Sequence, residues 1–346
     1  MKLIVQIPCL NEEHTLPQTV ADIPRTIPGV DEVEILIIDD GSSDNTVKVA
    51  REIGVDHIIQ NKRNMGLART FRTGLDAALR LGADIIVNTD GDNQYAGWDI
   101  PKLVQPILDG TADIVVGDRQ TGKIAHFSPL KKSLQQFGSI VVRRVSGVKI
   151  PDAVSGFRAI SRDAAFQLNI VSPFSYTTEM IIQAGKKYMK VASVPVETNP
   201  KTRESRLFSS IPRFIERQVS TIVRMYTMYQ PLRTFFYIGT ALSVLGLIPI
   251  ARFLIFYLFG DASGHIQSLI LGGVLVMMGF FAYLVGLVAD LINFNRQLIE
   301  MNLEKMRRME LANLDQRRID PGDTERRGRD LHPASGPDAE RIHERT

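Results

Sequence analysis

The chain has 346 residues, a formal net charge of +3 and a single cysteine, Cys9. So small a charge excludes nucleic-acid binding driven by bulk electrostatics, and one cysteine excludes an intrachain disulfide or a cysteine-rich zinc site. With 44% apolar and 23% charged residues, the chain reads as folded, with length for roughly two domains.

The first apolar run, Leu3–Ile7, is too short for a signal-peptide core and is followed at once by Pro8 and Asn11-Glu12-Glu13. It reads as a buried strand. Further short apolar runs recur at Val33–Ile38, Ile85–Val87, Ile114–Val116 and Val191–Val196, with amphipathic stretches such as Thr46–Ile53 and Leu67–Leu81 between them. Alternating buried strands and helices predict an α/β fold with a mostly parallel sheet.

Two longer apolar stretches follow, at about 234–259 and 268–294. Each exceeds the ~20 residues needed to cross a hydrocarbon core. The loop between them has no Lys or Arg, whereas Arg213, Arg217, Arg224 and Arg233 precede the first stretch and Arg296, Lys305, Arg307 and Arg308 follow the second. The positive-inside rule then predicts a multi-pass protein of the cytoplasmic (inner) membrane, with the N-terminal domain and both termini in the cytoplasm. Arg252 and Asp290 read as end-of-helix charges. Small-residue stripes (Gly239, Ser243, Gly246; Gly279, Ala282, Gly286) allow close helix packing, within one chain or between chains of a homo-oligomer. Before the hairpin, Ser210 can cap a helix with Pro212 in its first turn. Its apolar face (Ile211, Phe214, Ile215, Val219, Ile222, Val223, Tyr226) suits a membrane interface. The expected organisation is a domain over 1–207, a juxtamembrane amphipathic helix over 208–232, a transmembrane hairpin over 233–294, and a helix and disordered tail over 295–346.

Chemistry-bearing residues gather where strands end. Val87-Asn-Thr-Asp-Gly-Asp-Asn-Gln94 follows a buried strand. Asp90 and Asp92 there can hold a hard divalent cation, with Gln94 adding an amide oxygen, because Mg²⁺ takes few protein carboxylates plus substrate phosphate oxygens. Ligands of open α/β sheets bind outside the carboxyl ends of strands. Leu36-Ile-Ile-Asp-Asp-Gly-Ser-Ser-Asp44 puts Asp39 and Asp40 at another strand end, where they can accept hydrogen bonds from a base or from ribose. Tyr95 and Trp98 read as packing residues, and Glu179 either as a helix-start charge or as an acid of the acceptor site.

In order along the chain, Pro8-x-x-Asn11-Glu12, Asp39-Asp40-Gly41-Ser42-x-Asp44, Arg63-Asn64-x-Gly66 and Asp90-x-Asp92-x-Gln94 resemble the catalytic domain of family 2 inverting glycosyltransferases. Asp152-x-x-Ser155-Gly156-Phe157-Arg158 and Arg203-x-Ser205-Arg206 narrow the resemblance to polyprenyl-phosphate glycosyltransferases of the dolichyl-phosphate mannose synthase kind, with two transmembrane helices. It covers roughly residues 1–210 and implies a GT-A-type, Rossmann-like domain. The expected partners are a nucleotide-sugar donor (UDP- or GDP-hexose), a polyprenyl phosphate acceptor (undecaprenyl or dolichyl) and the membrane; the expected cofactor is Mg²⁺ or Mn²⁺. The expected activity is inverting transfer of one sugar, giving a lipid-linked donor for cell-envelope or protein glycosylation. By the resemblance, Pro8, Asn11, Glu12, Asp39, Asp40, Asn64, Gly66 and Asp90 bind the nucleotide sugar, and Asp90, Asp92 and Gln94 hold the metal. Arg119, Arg158, Arg203 and Arg206 bind the acceptor phosphate, with Asp92, Arg119, Asp152 and Arg158 at the catalytic centre. A processive polysaccharide synthase or a non-catalytic membrane partner retaining the fold are the alternatives. The first is disfavoured because the chain has no Gln-x-x-Arg-Trp segment and one tryptophan, Trp98.

Overall fold

A seven-stranded sheet of order β3-β2-β1-β4-β6-β5-β7 organises the N-terminal part of the computed structural model. The structure describes residues 1–120, 139–171, 176–200, 211–259 and 266–319. The strands are β1 Lys2–Cys9, β2 Glu32–Asp39, β3 His57–Gln60, β4 Ile85–Asn88, β5 Ile114–Asp118, β6 Arg158–Ser161 and β7 Val191–Pro195. All neighbouring pairs are parallel except those of β6, which runs antiparallel to both β4 and β5. The central strands are buried on both faces, so they read as continuous apolar runs rather than alternating ones. The four-residue β3 is only half-buried, and its His-Ile-Ile-Gln sequence is too short and polar to stand out as a core strand.

Side chains of alternate parity leave the sheet on opposite faces. Leu3, Val5, Ile7, Ile35, Ile37 and Val87 join the core that holds Leu16 of α1 (Leu16–Ala21) and Ile100, Leu103 and Val104 of α4 (Ile100–Leu108). On the other face, α3 (Leu67–Arg80) buries Ala68, Phe71, Leu75, Ala78 and Leu79, a helical spacing, over β1 and β2. Gly74 marks its closest approach, since a Cβ there would lie 2.6 Å from Gln6 Oε1 and 2.7 Å from Ile38 Cδ1. The remaining helices of this part are α2 (Thr46–Glu52), α5 (described over 139–146), α6 (Arg162–Gln167) and α7 (Tyr176–Lys186).

Three helices follow: α8 (Ile211–Tyr229), α9 (Pro231–Leu258) and α10 (Ile266–Ile319). Within α8, Val219 and Val223 are exposed. Ser210, the expected cap, lies outside the described residues, as does the tail beyond Ile319. Both α9 and the first part of α10 are long and apolar enough to cross a membrane. The small-residue stripes meet each other within the one chain. A Cβ at Gly239 would lie 2.8 Å from the Gly279 carbonyl oxygen, and one at Gly246 2.8 Å from that of Gly272. Thr240 Oγ1 and the Tyr283 hydroxyl share a hydrogen bond of 3.0 Å across the same seam. At the open end of the hairpin, the Arg296 guanidinium lies 4.2 Å over the Tyr229 ring and bonds Glu300 Oε1, while Lys187 Nζ reaches Glu300 Oε2 at 2.9 Å. Residues from Asn302 onward form a separate compact unit, described as the last turns of α10.

Candidate functional site

The site lies where β1, β2 and β4 end together. Register pairs Cys9 with Asp39 and Gln6 with Asn88. From β1 the chain order departs to β2 on one side and β4 on the other, which opens a crevice at their carboxyl ends. Because β6 is antiparallel, it begins at the rim where its neighbours end: Arg158 lies opposite both Asn88 and Val116. The segment 152–157 is thereby delivered into the crevice.

Acidic side chains crowd the rim. Asp39 is fully buried and accepts the Ser42 N–H with both carboxylate oxygens, at 3.3 and 3.2 Å. The β1–α1 and β2–α2 turns are laced to each other. Asn11, in a left-handed conformation (φ 55°), donates its N–H to Ser42 Oγ and accepts the Ser43 N–H at its Oδ1, each at 2.8 Å. The Glu12 N–H goes to Thr46 Oγ1, and Asp44 accepts the N–H groups of Glu13 and Thr46. Burial pushes the Cys9 thiol well up, and the charges of Glu12, Asp39, Asp90 and Asp44 push it further.

Asp40 differs from its neighbour. Its Oδ1 accepts Asn61 Nδ2 and the Met65 N–H, and its Oδ2 accepts the Gly66 N–H, all within 3.0 Å. It therefore holds the 61–66 loop, on which Asn64 and Gly66 stand, in place beside the pocket. Gly41 (φ 77°) is needed for that approach, since a Cβ there would meet the Arg63 backbone at 2.7 Å.

Beyond β4, Thr15 Oγ1 donates to the Gly91 carbonyl at 2.7 Å, fastening the Asp90–Asp92 turn to α1. Gln94 donates its backbone N–H to Asp92 Oδ1 (3.2 Å) and Nε2 to Asp92 Oδ2 (2.8 Å). That bond makes Gln94 an orienting partner of Asp92. Among the described residues no three His, Cys, Asp or Glu side chains converge as a metal cage. Two rim carboxylates, one of them oriented, fit a hard cation that takes its other ligands from a diphosphate and water.

Across the crevice, at the end of β5, Arg119 makes a two-pronged pair with Asp152: Nε to Oδ2 at 2.7 Å and Nη2 to Oδ1 at 3.0 Å. Burial opposes the Arg119 charge, but Tyr95, Asp152 and Asp90 outweigh it and push its pKa up. Arg119 is a permanent cation within electrostatic reach of Asp90.

Arg158 departs from the expectation that it contacts phosphate. It is fully buried, and its donors go to the carbonyls of Ser155, Thr177 and Ala153, each at 2.8 Å. Burial lowers its pKa to about 10. Its place is behind the site, clamping the 152–157 segment to the start of α7. Arg203 and Arg206 lie outside the described residues.

The sequence reading missed a polar cage around Gly156. Its N–H donates to the Tyr95 hydroxyl (2.9 Å), and its carbonyl accepts Asn88 Nδ2 (2.9 Å), which also reaches the Tyr176 hydroxyl (3.0 Å). A Cβ on Gly156 would stand 3.0 Å from the Tyr176 hydroxyl and 3.1 Å from Asp90 Oδ2. Tyr95 stacks on Phe157 and Tyr176 on Phe71, so both rings are fixed. Asparagine at the end of β4 was the one available signal. Tyr95 packs as expected, but Trp98 is half exposed (50%). Glu179 is fully buried and accepts the Val171 N–H and Gln183 Nε2 at Oε1, so it ties α7 to the preceding segment.

The fold is a Rossmann-like α/β sheet with an acidic rim at its switch point and an arginine oriented by Asp152. Residues 4–167 match the family described as Glycosyl transferase family 2. The chain is 31% identical over 216 residues to a UDP-N-acetylglucosamine–dolichyl-phosphate N-acetylglucosaminyltransferase of Methanococcus voltae, covering 56% of this chain and 83% of the relative. It is 32% identical over 216 residues to a dolichol-phosphate mannosyltransferase of Pyrococcus furiosus, covering 60% and 59%. Its fold is similar to that of glucosyl-3-phosphoglycerate synthase from Mycobacterium tuberculosis, a structure with Mn²⁺, UDP and phosphoglyceric acid (TM-score 0.53, 18% identity, 65% of this chain and 78% of that one). The chain belongs to glycosyl transferase family 2 and is a glycosyltransferase.

Proposed function

We propose that the protein transfers a single sugar from a nucleoside-diphosphate hexose to a polyprenyl phosphate, with inversion at the anomeric carbon. The observation that carries this reading is the placement of Arg119, held in a bidentate pair by Asp152, across the crevice from the Asp90–Asp92 turn. One side suits a departing diphosphate and the other an incoming phosphate. The names of the relatives from M. voltae and P. furiosus support the lipid-phosphate acceptor.

In this reading Asp39 binds the nucleoside, and Asn11, Glu12 and Asp40 shape the pocket around it through the turns they tie. Pro8 ends the β1 side of the same pocket. Asp90 and Asp92 hold a divalent cation, Mg²⁺ or Mn²⁺, which when bound neutralises the charge left on the nucleoside diphosphate. The nucleophile is a phosphate oxygen of the lipid. Its second pKa is about 6, so it is ionised near neutral pH and needs no strong base. Asp152 is accordingly an orienting residue, since both of its oxygens accept hydrogens from Arg119. Arg119 places the acceptor phosphate in line with the C–O bond that breaks; guanidinium suits this because its fork matches phosphate geometry. Arg203 and Arg206 are proposed as further acceptor-phosphate contacts from the segment before α8.

We also assign α8 to the membrane interface and α9 with the first part of α10 to a hairpin through it, with the domain and both termini in the cytoplasm. The test is a panel of labelled UDP- and GDP-hexoses offered with undecaprenyl or dolichyl phosphate. One labelled sugar is expected in the lipid phase, and chelator is expected to stop its appearance. A polymeric product, or equal transfer to a neutral polyprenol, overturns the proposal.

A further inference from the structure

We propose that the turn after α7, Lys186-Lys187-Tyr188-Met189-Lys190, is a membrane-docking element that binds the phosphate headgroups of anionic lipids in the leaflet from which α9 starts. Five consecutive residues there carry three lysines, a tyrosine and a methionine, with no acid among them.

The turn is well formed. Lys187 N–H donates to the Gln183 carbonyl at 2.9 Å and Met189 N–H to that of Ala184 at 3.0 Å, closing the end of α7. Tyr188 is then left in a left-handed conformation (φ 57°), which a tyrosine adopts at a cost, and it is 94% exposed. A large ring held outward in this way forfeits burial in water. It suits a headgroup region, where the amphipathic ring of tyrosine is favoured.

One ion pair fixes where the turn stands. Lys187 Nζ is 2.9 Å from Glu300 Oε2, and Glu300 lies six residues past Phe294, about 9 Å along α10 beyond the apolar stretch. Burial, and then the charge of Arg233, the third residue of α9, lower the pKa of Lys186. Like charges that act on each other without an acid between them are relieved by an anion. Among the described residues, Lys186, Lys190 and Arg233 make no ion pair. Of the acids beside the turn, Glu300 is taken by Lys187, and Asp113 accepts the Lys190 N–H at 2.7 Å. The complement is a lipid phosphate.

The turn leads directly into β7, whose last residue, Pro195, pairs with Asp118, next to Arg119. Docking the turn therefore sets the pose of the β5–β7 edge over the bilayer. The inference rests on the hairpin lying in a membrane and not on the transfer reaction, so the test reads no activity.

Trp98 is the only tryptophan, so Trp98→Phe with Tyr188→Trp gives the full chain a single reporter at the turn. The protein is reconstituted in nanodiscs of phosphatidylcholine, alone or with phosphatidylglycerol, with brominated acyl chains as quencher. In phosphatidylglycerol discs the emission is expected to shift to the blue and be quenched, and added salt should reverse both. Lys186→Ala on this background is expected to raise the phosphatidylglycerol fraction needed for half-maximal quenching about fivefold, the effect of one surface cation. Water-like, unquenched emission in both discs overturns the proposal. So does equal quenching in phosphatidylcholine alone, or quenching that Lys186→Ala leaves unchanged.

Discussion

Asp39 and Asp40 are adjacent buried carboxylates, yet the structure gives them different work. Asp40 spends its oxygens on the Asn61–Gly66 loop, whereas among the described residues Asp39 takes only the Ser42 N–H. The same division separates the two arginines. Arg119 is steered by one carboxylate toward the crevice, while Arg158 is consumed by three carbonyls. Arg158→Met should leave those carbonyls buried and unmet, and thermal unfolding should show a loss of at least ~2 kcal/mol. Asp92→Ala, in contrast, is expected to abolish metal-dependent transfer with an unchanged circular dichroism spectrum; undiminished turnover refutes the metal-binding role. In sequence the two arginines carried the same expectation of an acceptor-phosphate contact, Arg119 just after a strand-like run and Arg158 within one. Which of them is enclosed depends on α7 bringing Thr177 and Met180 against Arg158, and nothing local encodes that.

Among the elements, β6 decides most about the site. Running against its neighbours, it starts at the rim and delivers 152–157 beside Asp90. Gly156→Ala should push on Asp90 and Tyr176 and weaken Mn²⁺ binding, read by electron paramagnetic resonance, more than it lowers the unfolding temperature. The two turns after β1 and β2 are also pH-sensitive. Burial opposes ionisation of Asp44, but its bonds from Thr46 and Glu13 prevail and hold its pKa below the ordinary 3.8. A lowered acid stabilises the fold above its unfolded value and loses that contribution as pH falls through its folded value. Asp44→Asn should therefore flatten the pH dependence of unfolding below about pH 4, measured by acid titration of the fluorescence, while native stability near neutrality falls.

For the whole molecule, the hairpin seam answers what the small-residue stripes left open. Gly239, Gly246, Gly272 and Gly279 face one another inside one chain, so the close approach is used within the protomer. Gly279→Leu is expected to force α9 and α10 apart at a cost of about 1–3 kcal/mol, seen as faster proteolysis of the hairpin in nanodiscs; an unchanged rate counts against the seam. Patterns confined to a few neighbouring residues were legible before any fold was drawn. The buried strands, the acids at their ends, the two apolar spans and the family motifs are all local, because strand burial, metal affinity and bilayer length each act on consecutive residues. The antiparallel β6, the enclosure of Arg158, the Arg119–Asp152 pair and the Asn88–Tyr176–Gly156 cage join residues tens of positions apart. Their roles are set by which surfaces remain open after the sheet, α7 and the hairpin have packed, and only the assembled chain fixes that.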